Sequence, residues 1–179
     1  DLIESETVPV VKLDRVFRQA MKSRIVVSAH QIIRGEMPDL TVDKKSDFFM
    51  MNRNTPEQTA NLISDLFCER LKKSYNFSPM TDIQVLCPTR KGRCGTVSLN
   101  NLIQARLNPD DGVKPSLTIK GFTLRAGDKV MQVKNNYDVE WLADNGKEGQ
   151  GVFNGDIGVL ESVDVRNRSI RIRFDNKVA

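Results

Sequence analysis

The chain has 179 residues, 39% hydrophobic and 28% charged, with a formal net charge of +4 and a pI near 9.0. That length holds one large domain, or a medium domain with a small appendage, around a real core. No apolar run approaches a membrane span and no basic-then-apolar signal segment opens the chain, so the composition reads as soluble and globular with no membrane partner. Three cysteines, Cys68, Cys87 and Cys94, match no zinc-knuckle spacing. With His30 the only histidine, no metal site is expected. Reduced thiols suit a cytoplasmic protein, and a start at Asp1 rather than Met fits an excised fragment.

Residues 8–13, Val-Pro-Val-Val-Lys-Leu, predict a strand end or connector leading to Arg18. The guanidinium of Arg18 is always charged, and its planar fork matches phosphate oxygens. An ion pair with Asp14 suits it as well. Gln19 either orients Arg18 or caps a turn. Ser23 is a plausible N-cap, and Ile25, Ala29, Ile32 and Ile33 recur at helical spacing, predicting a helix over 23–34 with one buried stripe. Gly35 ends it, with Pro38 beyond. His30, with no nucleophile or carboxylate partner evident nearby, reads as a hydrogen-bonded helix histidine rather than a catalytic one. Residues 47–51 predict a short buried strand. Thr55-Pro56-Glu57-Gln58 is a strong helix start, and Leu62, Ile63, Leu66, Phe67 and Leu71 give that helix one apolar face as far as about Lys73. Core packing against a sheet is the expected use of that face.

Ile83–Cys87, ended by Pro88, predicts a central strand that delivers the loop Pro88-Thr89-Arg90-Lys91-Gly92 to a sheet edge, where open α/β folds bind ligands. Between Asp82 and Asp110 there is no acidic residue, while Arg90, Lys91, Arg93 and Arg106 all fall there. Such a stretch is either a phosphate-facing surface or a solvated basic loop. Gly92-Arg93-Cys94-Gly95-Thr96 lacks the Gly-Lys-Ser/Thr ending of a phosphate loop, so the chain is not expected to hydrolyse ATP by itself. Asp47, Asp65 and Asp82 show no spacing that would hold two metals for a nuclease.

Past Pro109–Gly112 the pattern turns to short β segments. Asp128–Lys134, Ile157–Val163 and Ser169–Phe174 are the predicted strands, with Ile170, Ile172 and Phe174 alternating with Arg171 and Arg173. Asn154-Gly155 and Asn167-Arg168 mark turns, and Val139–Gly151 predicts a mobile loop. Lys134, Asn135, Asn136 and Tyr137 read either as DNA contacts, with Tyr137 stacking on a base, or as a polar strand end.

Three stretches carry a family resemblance. Val16-Phe17-Arg18-Gln19-Ala20, followed by the run Ser23–Pro38, resembles the motif IV region of RecD-like superfamily 1 DNA helicases. The loop Pro88–Gly92, with Gly95 and Leu99-Asn100 after it, is similar to a family loop on the single-stranded DNA track. Gly127-Asp-Lys-Val-Met-Gln132 and Val152-Phe-Asn-Gly-Asp-Ile-Gly158 resemble the pattern of an inserted barrel, with a longer link between them than is usual.

The resemblance implies an α/β fold: residues 1–114 as part of the second RecA-like (P-loop NTPase type) motor domain, and 115–179 as a small SH3-like β-barrel insertion, truncated before its closing strand. A raw edge there suggests a dimer or a mobile end. The implied function is a fragment of an ATP-dependent 5′–3′ DNA helicase acting in recombination and repair, akin to the exodeoxyribonuclease V alpha subunit. By resemblance, Arg18 is catalytic and contacts the γ-phosphate with Gln19 beside it, while Pro88, Thr89, Arg90, Lys91, Gly92, Asn136 and Tyr137 touch DNA. ATP and Mg are implied for the full-length parent, with neither expected on the fragment. Single-stranded DNA, the remaining helicase domains and other exodeoxyribonuclease V subunits are the implied partners. The helicase half of a conjugative relaxase shares much of the pattern, and a non-enzymatic nucleic-acid- or protein-binding module is the alternative of another class.

Overall fold

The computed structural model describes residues 3–5, 7, 9–11, 23–41 and 46–179. They divide into two compact units, residues 1–52 and 53–179. Arg18 and Gln19 lie outside the described residues, and the connector expected at 8–13 is described only at 9–11.

In the first unit, α1 (Arg24–Ile33) takes its cap from a distant carboxylate. Asp47 accepts the Arg24 N–H at 2.9 Å and the Ser23 hydroxyl at 2.5 Å. An anion there satisfies an orphan donor and faces the positive end of the helix dipole. The Arg24 guanidinium donates to the carbonyls of Thr41 and Asp39 and pairs with the Asp39 carboxylate at 2.8 Å, which holds the returning segment against the first turn. The predicted buried stripe is not observed: Val26 and Ser28 are buried, whereas Ile25, Ile32 and Ile33 are exposed. The segment that packs on α1 is joined to it through polar groups at the N-terminal end, so no apolar layer of this unit covers the stripe among the described residues. Residues 47–51 form no strand, and Phe49, Met50 and Met51 are exposed.

The second unit opens as the sequence predicts. Thr55 Oγ1 accepts the Gln58 N–H at 3.2 Å, and Gln58 Oε1 accepts the Asn54 N–H at 3.2 Å, a capping box shifted by one donor. The helix α2 (Pro56–Asp65) widens into a π-helical turn at Leu66–Arg70 and continues as α3 (Leu71–Tyr75), ending at Asn76 in the left-handed conformation. Across it lies α4 (Thr96–Leu107). Phe67, Cys68 and Ile83 form the core between them, with Leu71, Val85, Ile103 and Leu107 packed on it. Arg106 clamps the two rods together, donating to Asp65, to Glu69 at 2.7 Å and to Ser64 Oγ at 3.2 Å.

Ile83–Cys87 keeps its period of two: Ile83 is buried and Val85 and Cys87 half-buried, while Gln84 and Leu86 are exposed. No strand pairs with it. Among the described residues no strand precedes Ser116, so the expected central strand of a RecA-like sheet is not observed. A strand owes its ladder to its neighbours, and here helix α4 packs on one face while no second strand lies alongside.

From Ser116 onward the chain is β. The hairpin β1 (Ser116–Ile119) and β2 (Phe122–Arg125) turns at Lys120-Gly121, both at positive φ, as a type I′ turn demands. Six further strands are β3 (Lys129–Met131), β4 (Asn136–Ala143), β5 (Glu148–Val152), β6 (Ile157–Asp164), β7 (Ser169–Phe174) and β8 (Lys177–Val178). They form one antiparallel sheet in the order β3-β6-β7-β8-β4-β5. The sheet is open, with β3 and β5 at its edges, so the expected barrel is not closed. The mobile loop expected at 139–151 is the β4–β5 hairpin, tightened by Ala143 N–H to Lys147 O at 2.8 Å and by Gly146 at φ 82°. Leu117, Leu160 and Val163, with Leu124, Ile170 and Ile172, make the core beneath the sheet.

Asp128 joins this sheet to α4. Buried, it accepts from Gln104 Nε2 at 2.6 Å, Asn108 Nδ2 at 2.8 Å and the Arg125 N–H at 2.8 Å. Lys129 adds a second tie, donating Nζ to the carbonyl of Ile83 at 2.7 Å.

Candidate nucleic-acid interface

The loop Pro88–Gly92 is exposed throughout and folds back over the start of α4. Thr96 N–H donates to Thr89 O at 3.2 Å, Val97 N–H to Arg90 O at 3.4 Å, and Gly95 N–H to Gly92 O at 3.1 Å. The loop's carbonyls therefore satisfy donors that the first turn of a helix otherwise leaves orphaned. Gly95 is required by this crossing, because a Cβ there would stand 2.7 Å from the Arg90 carbonyl group. The Thr89 hydroxyl donates to Lys91 O at 3.1 Å. The N–H groups of Gly95, Thr96 and Val97 thus bond the loop itself and do not face a phosphate.

What the loop does offer is the pair Arg90 and Lys91. Among the described residues neither side chain makes a hydrogen bond or ion pair. The other basic residues of the acid-free stretch are occupied. Arg93 pairs with Glu57 at 3.1 Å, beside Cys94 Sγ donating to Pro56 O at 3.3 Å, and Arg106 is held by Asp65 and Glu69. The Lys73 ammonium at 3.1 Å, and then Arg106, hold the Glu69 carboxyl below its ordinary range. These carboxylates come from a helix thirty or more residues away in sequence, which is why a local charge count shows four free cations where the fold leaves two.

Asn136 and Tyr137 open β4. Asn136 Oδ1 accepts the Asp138 N–H at 3.2 Å, so this side chain is partly engaged. Tyr137 is 65% exposed. Its hydroxyl accepts from Asn135 Nδ2 at 3.1 Å, and its ring meets Phe153 edge-on, with centroids 5.8 Å apart. In the sequence Phe153 stands out only as part of the Val152–Gly158 pattern. An aromatic residue before an Asn-Gly turn was the available signal, but its exposure becomes visible only once the turn is folded. The loop and the aromatic pair sit on different elements, and no hydrogen bond or ring contact joins them among the described residues.

A concavity of about 1080 Å³ lies on the sheet beside Trp141, Leu142, Glu161, Arg173 and Val178. Arg173 there is neutralised by Asp144 and Glu161, and Glu140 and Glu148 also line the groove, so it does not suit a phosphate chain. Among the described residues no cluster of His, Cys, Asp and Glu suits a metal ion, and no helix is long and apolar enough to cross a membrane.

Residues 99–174 match the family described as the SH3 domain of ATP-dependent RecD-like DNA helicases. Over 174 residues the chain is 29% identical to the ATP-dependent RecD2 DNA helicase of Deinococcus radiodurans, an alignment that takes in 97% of this chain and 21% of that protein. The chain thus spans about a fifth of the length of the curated relative it matches. The β-rich part of the chain is thus similar to the SH3 domain of RecD-like helicases, and the chain as a whole to a segment of a RecD2 helicase.

Proposed function

We propose that the chain is a segment of an ATP-dependent 5′–3′ DNA helicase of the RecD family, working in recombination or repair, and that it supplies part of the single-stranded DNA track. The observation that carries this reading is the match of residues 99–174 to a DNA-helicase SH3 domain, in a chain that also presents two unpaired cations on a braced loop. Arg90 and Lys91 sit on a backbone fixed to α4, so their charges meet phosphates with little further ordering of the main chain. Such contacts hold a strand without reading its bases. Asn136 and Tyr137 would add contacts from β4, Tyr137 by stacking.

Arg18, with Gln19 beside it, is proposed to reach the γ-phosphate of ATP held by the rest of the parent, where a guanidinium stabilises charge on the transferring group. The glycines at 92 and 95 do not fit a phosphate loop: the Gly95 N–H bonds the Gly92 carbonyl, and no lysine follows Gly95. ATP and magnesium are accordingly assigned to the remaining helicase domains. Other exodeoxyribonuclease V subunits are candidate partners of that whole. Flanking sequence would separate this reading from the helicase half of a conjugative relaxase.

The test of the DNA track is the salt dependence of single-strand binding by wild type and by Arg90→Ala/Lys91→Ala. Loss of two phosphate contacts should weaken binding and flatten the log–log salt slope by about 1.4; unchanged affinity at low salt would reject the loop. The test of Arg18 is DNA-stimulated ATPase of the full-length parent, where Arg18→Ala should lower the rate on the order of a thousandfold while folding and DNA binding persist. A binding module without enzymatic coupling is the second reading. It predicts single-strand affinity that is the same with and without nucleotide in the parent.

A further inference from the structure

Tyr137 and Phe153 are both exposed and both held in place. Tyr137 is 65% exposed and Phe153 44%, and their rings stand 72° apart. One amide ties the pair together: Asn135 Nδ2 donates to the Tyr137 hydroxyl at 3.1 Å, while Asn135 Oδ1 accepts the Asn154 N–H at 2.9 Å. Phe153 is fixed from its own backbone, with its N–H on Asp156 Oδ2 at 2.9 Å and its carbonyl accepting the Asp156 N–H at 3.0 Å. The turn requires Gly155 at φ 96°. Behind the ring lies Gly151, where a Cβ would come within 3.0 Å of Phe153 Cζ.

Neither ring belongs to the core formed by Leu117, Leu160 and Val163. An edge-to-face pair leaves flat ring surface on both partners uncovered, and rings already locked in place lose little entropy when something stacks on them. The polar side chains bonded beside the pair are amides, Asn135 on the Tyr137 hydroxyl and Asn136 on the Asp138 N–H, and in sequence Lys134 and Asp138 flank them. The nearest carboxylate in the turn, Asp156, is directed at the Phe153 N–H. Flat apolar faces edged by neutral hydrogen-bonding amides suit unpaired bases.

We infer that Phe153 is a second base-stacking residue, which together with Tyr137 receives neighbouring bases of single-stranded DNA. The inference rests on the reading of Tyr137 as a DNA contact. It adds the residue, and the two-ring platform, that this reading lacked. Every base has a π-face, so the platform tolerates any sequence.

The experiment is equilibrium binding by the 179-residue chain of a short labelled oligodeoxythymidylate and of an abasic oligonucleotide of equal length, at fixed salt. Wild type should prefer the oligonucleotide that carries bases. Phe153→Ala and Tyr137→Ala should each cost about fivefold to about a hundredfold on oligodeoxythymidylate and little on the abasic strand, with the salt slope unchanged. Phe153→Leu keeps apolar bulk without a π-face and guards against a folding effect; it should lose as much as Phe153→Ala. Wild-type affinity in Phe153→Leu, or equal losses on both strands, would overturn the inference and point to packing or to a protein occupant. If Tyr137→Ala discriminates between the strands and Phe153→Ala does not, this inference alone falls. If wild type binds both strands alike, the reading of Tyr137 falls with it.

Discussion

Trp141 lies across the backbone of its ladder partner Gly149, with the Lys177 ammonium 4.9 Å over its ring. A Cβ at 149 would stand 2.6 Å from Trp141 Cη2, so the half-buried indole would have to move. Gly149→Ala is expected to displace the ring and destabilise the sheet by about 1–3 kcal/mol. Trp141 is the sole tryptophan, so its emission should shift to the red as the urea midpoint falls. Unaltered emission and midpoint would mean that the ring does not rest on Gly149. Cys68 poses a second residue-scale case. Burial pushes its thiol up from the ordinary range, an effect its Ser64 and Arg106 neighbours only partly oppose. Because the thiolate is the reactive form, Cys68 should label more slowly than the half-buried Cys87 and Cys94 at mildly alkaline pH. Peptide mapping of the modified chain would show the order, and Cys68 reacting first would contradict it.

Two helix starts show why one element was legible in the sequence and another was not. The cap of α2 is local: Thr55, Pro56 and Gln58 lie within four residues, so the sequence alone predicts the Thr55–Gln58 bond, while Gln58 reaches one residue further back than expected, to the Asn54 N–H. The cap of α1 is not, because Asp47 stands 23 residues from the N–H it accepts and only the folded chain brings them together. The Ser23 hydroxyl, and then the Arg24 N–H, hold the Asp47 carboxyl below its ordinary range. A carboxylate with a depressed folded value contributes stability above its unfolded value and loses it as pH falls through the folded one. The start of α1 should therefore be firm at neutral pH and fray as pH drops below about 4, and Asp47→Ala should fray it at every pH. Amide exchange at residues 24–27 reads this directly, and equal protection in variant and wild type at pH 7 would refute the cap. At α4 the demand is steric. Gly95→Ala places a Cβ against the Arg90 carbonyl group, which is backbone and cannot swing aside. That change should loosen the loop 88–92 and weaken single-strand binding while α4 itself keeps its helicity by circular dichroism. Retained wild-type affinity would mean that the loop's crossing of the helix start does not serve binding.

At the scale of the molecule, what the sequence announced best was its β-rich second half. Strict alternation through Ile170, Ile172 and Phe174 and the turns at Asn154-Gly155 and Asn167-Arg168 are local signals, and β6 and β7 fall where they point. The β4–β5 hairpin escaped notice because its strand Glu-Gly-Gln-Gly-Val carries almost no β-forming side chains; Gly149 is there to make room for Trp141, a reason that resides in the partner strand. Free and paired cations were equally indistinct, since Arg93 and Arg106 meet carboxylates remote in sequence. The same remoteness hides the residue on which the second unit turns. Asp128 sits in a family-like stretch, but its role depends on Gln104 and Asn108, at the far end of α4, and on the Arg125 N–H. Replacing it with Ala leaves the buried Arg125 N–H without an acceptor and takes one of two partners from each amide, Gln104 keeping Thr123 O and Asn108 keeping Ala126 O; each lost buried partner costs about 1–3 kcal/mol. Asp128→Ala should therefore lower stability by about 3 kcal/mol or more, and it should also separate the sheet from the helical layer. In urea, the helical signal and the Trp141 emission should fall together in wild type, as a single cooperative transition requires, and at different denaturant concentrations in the variant. Coincident curves in Asp128→Ala, however far they shift, would show that the core contacts and the Lys129 tie suffice to couple the two layers without the carboxylate.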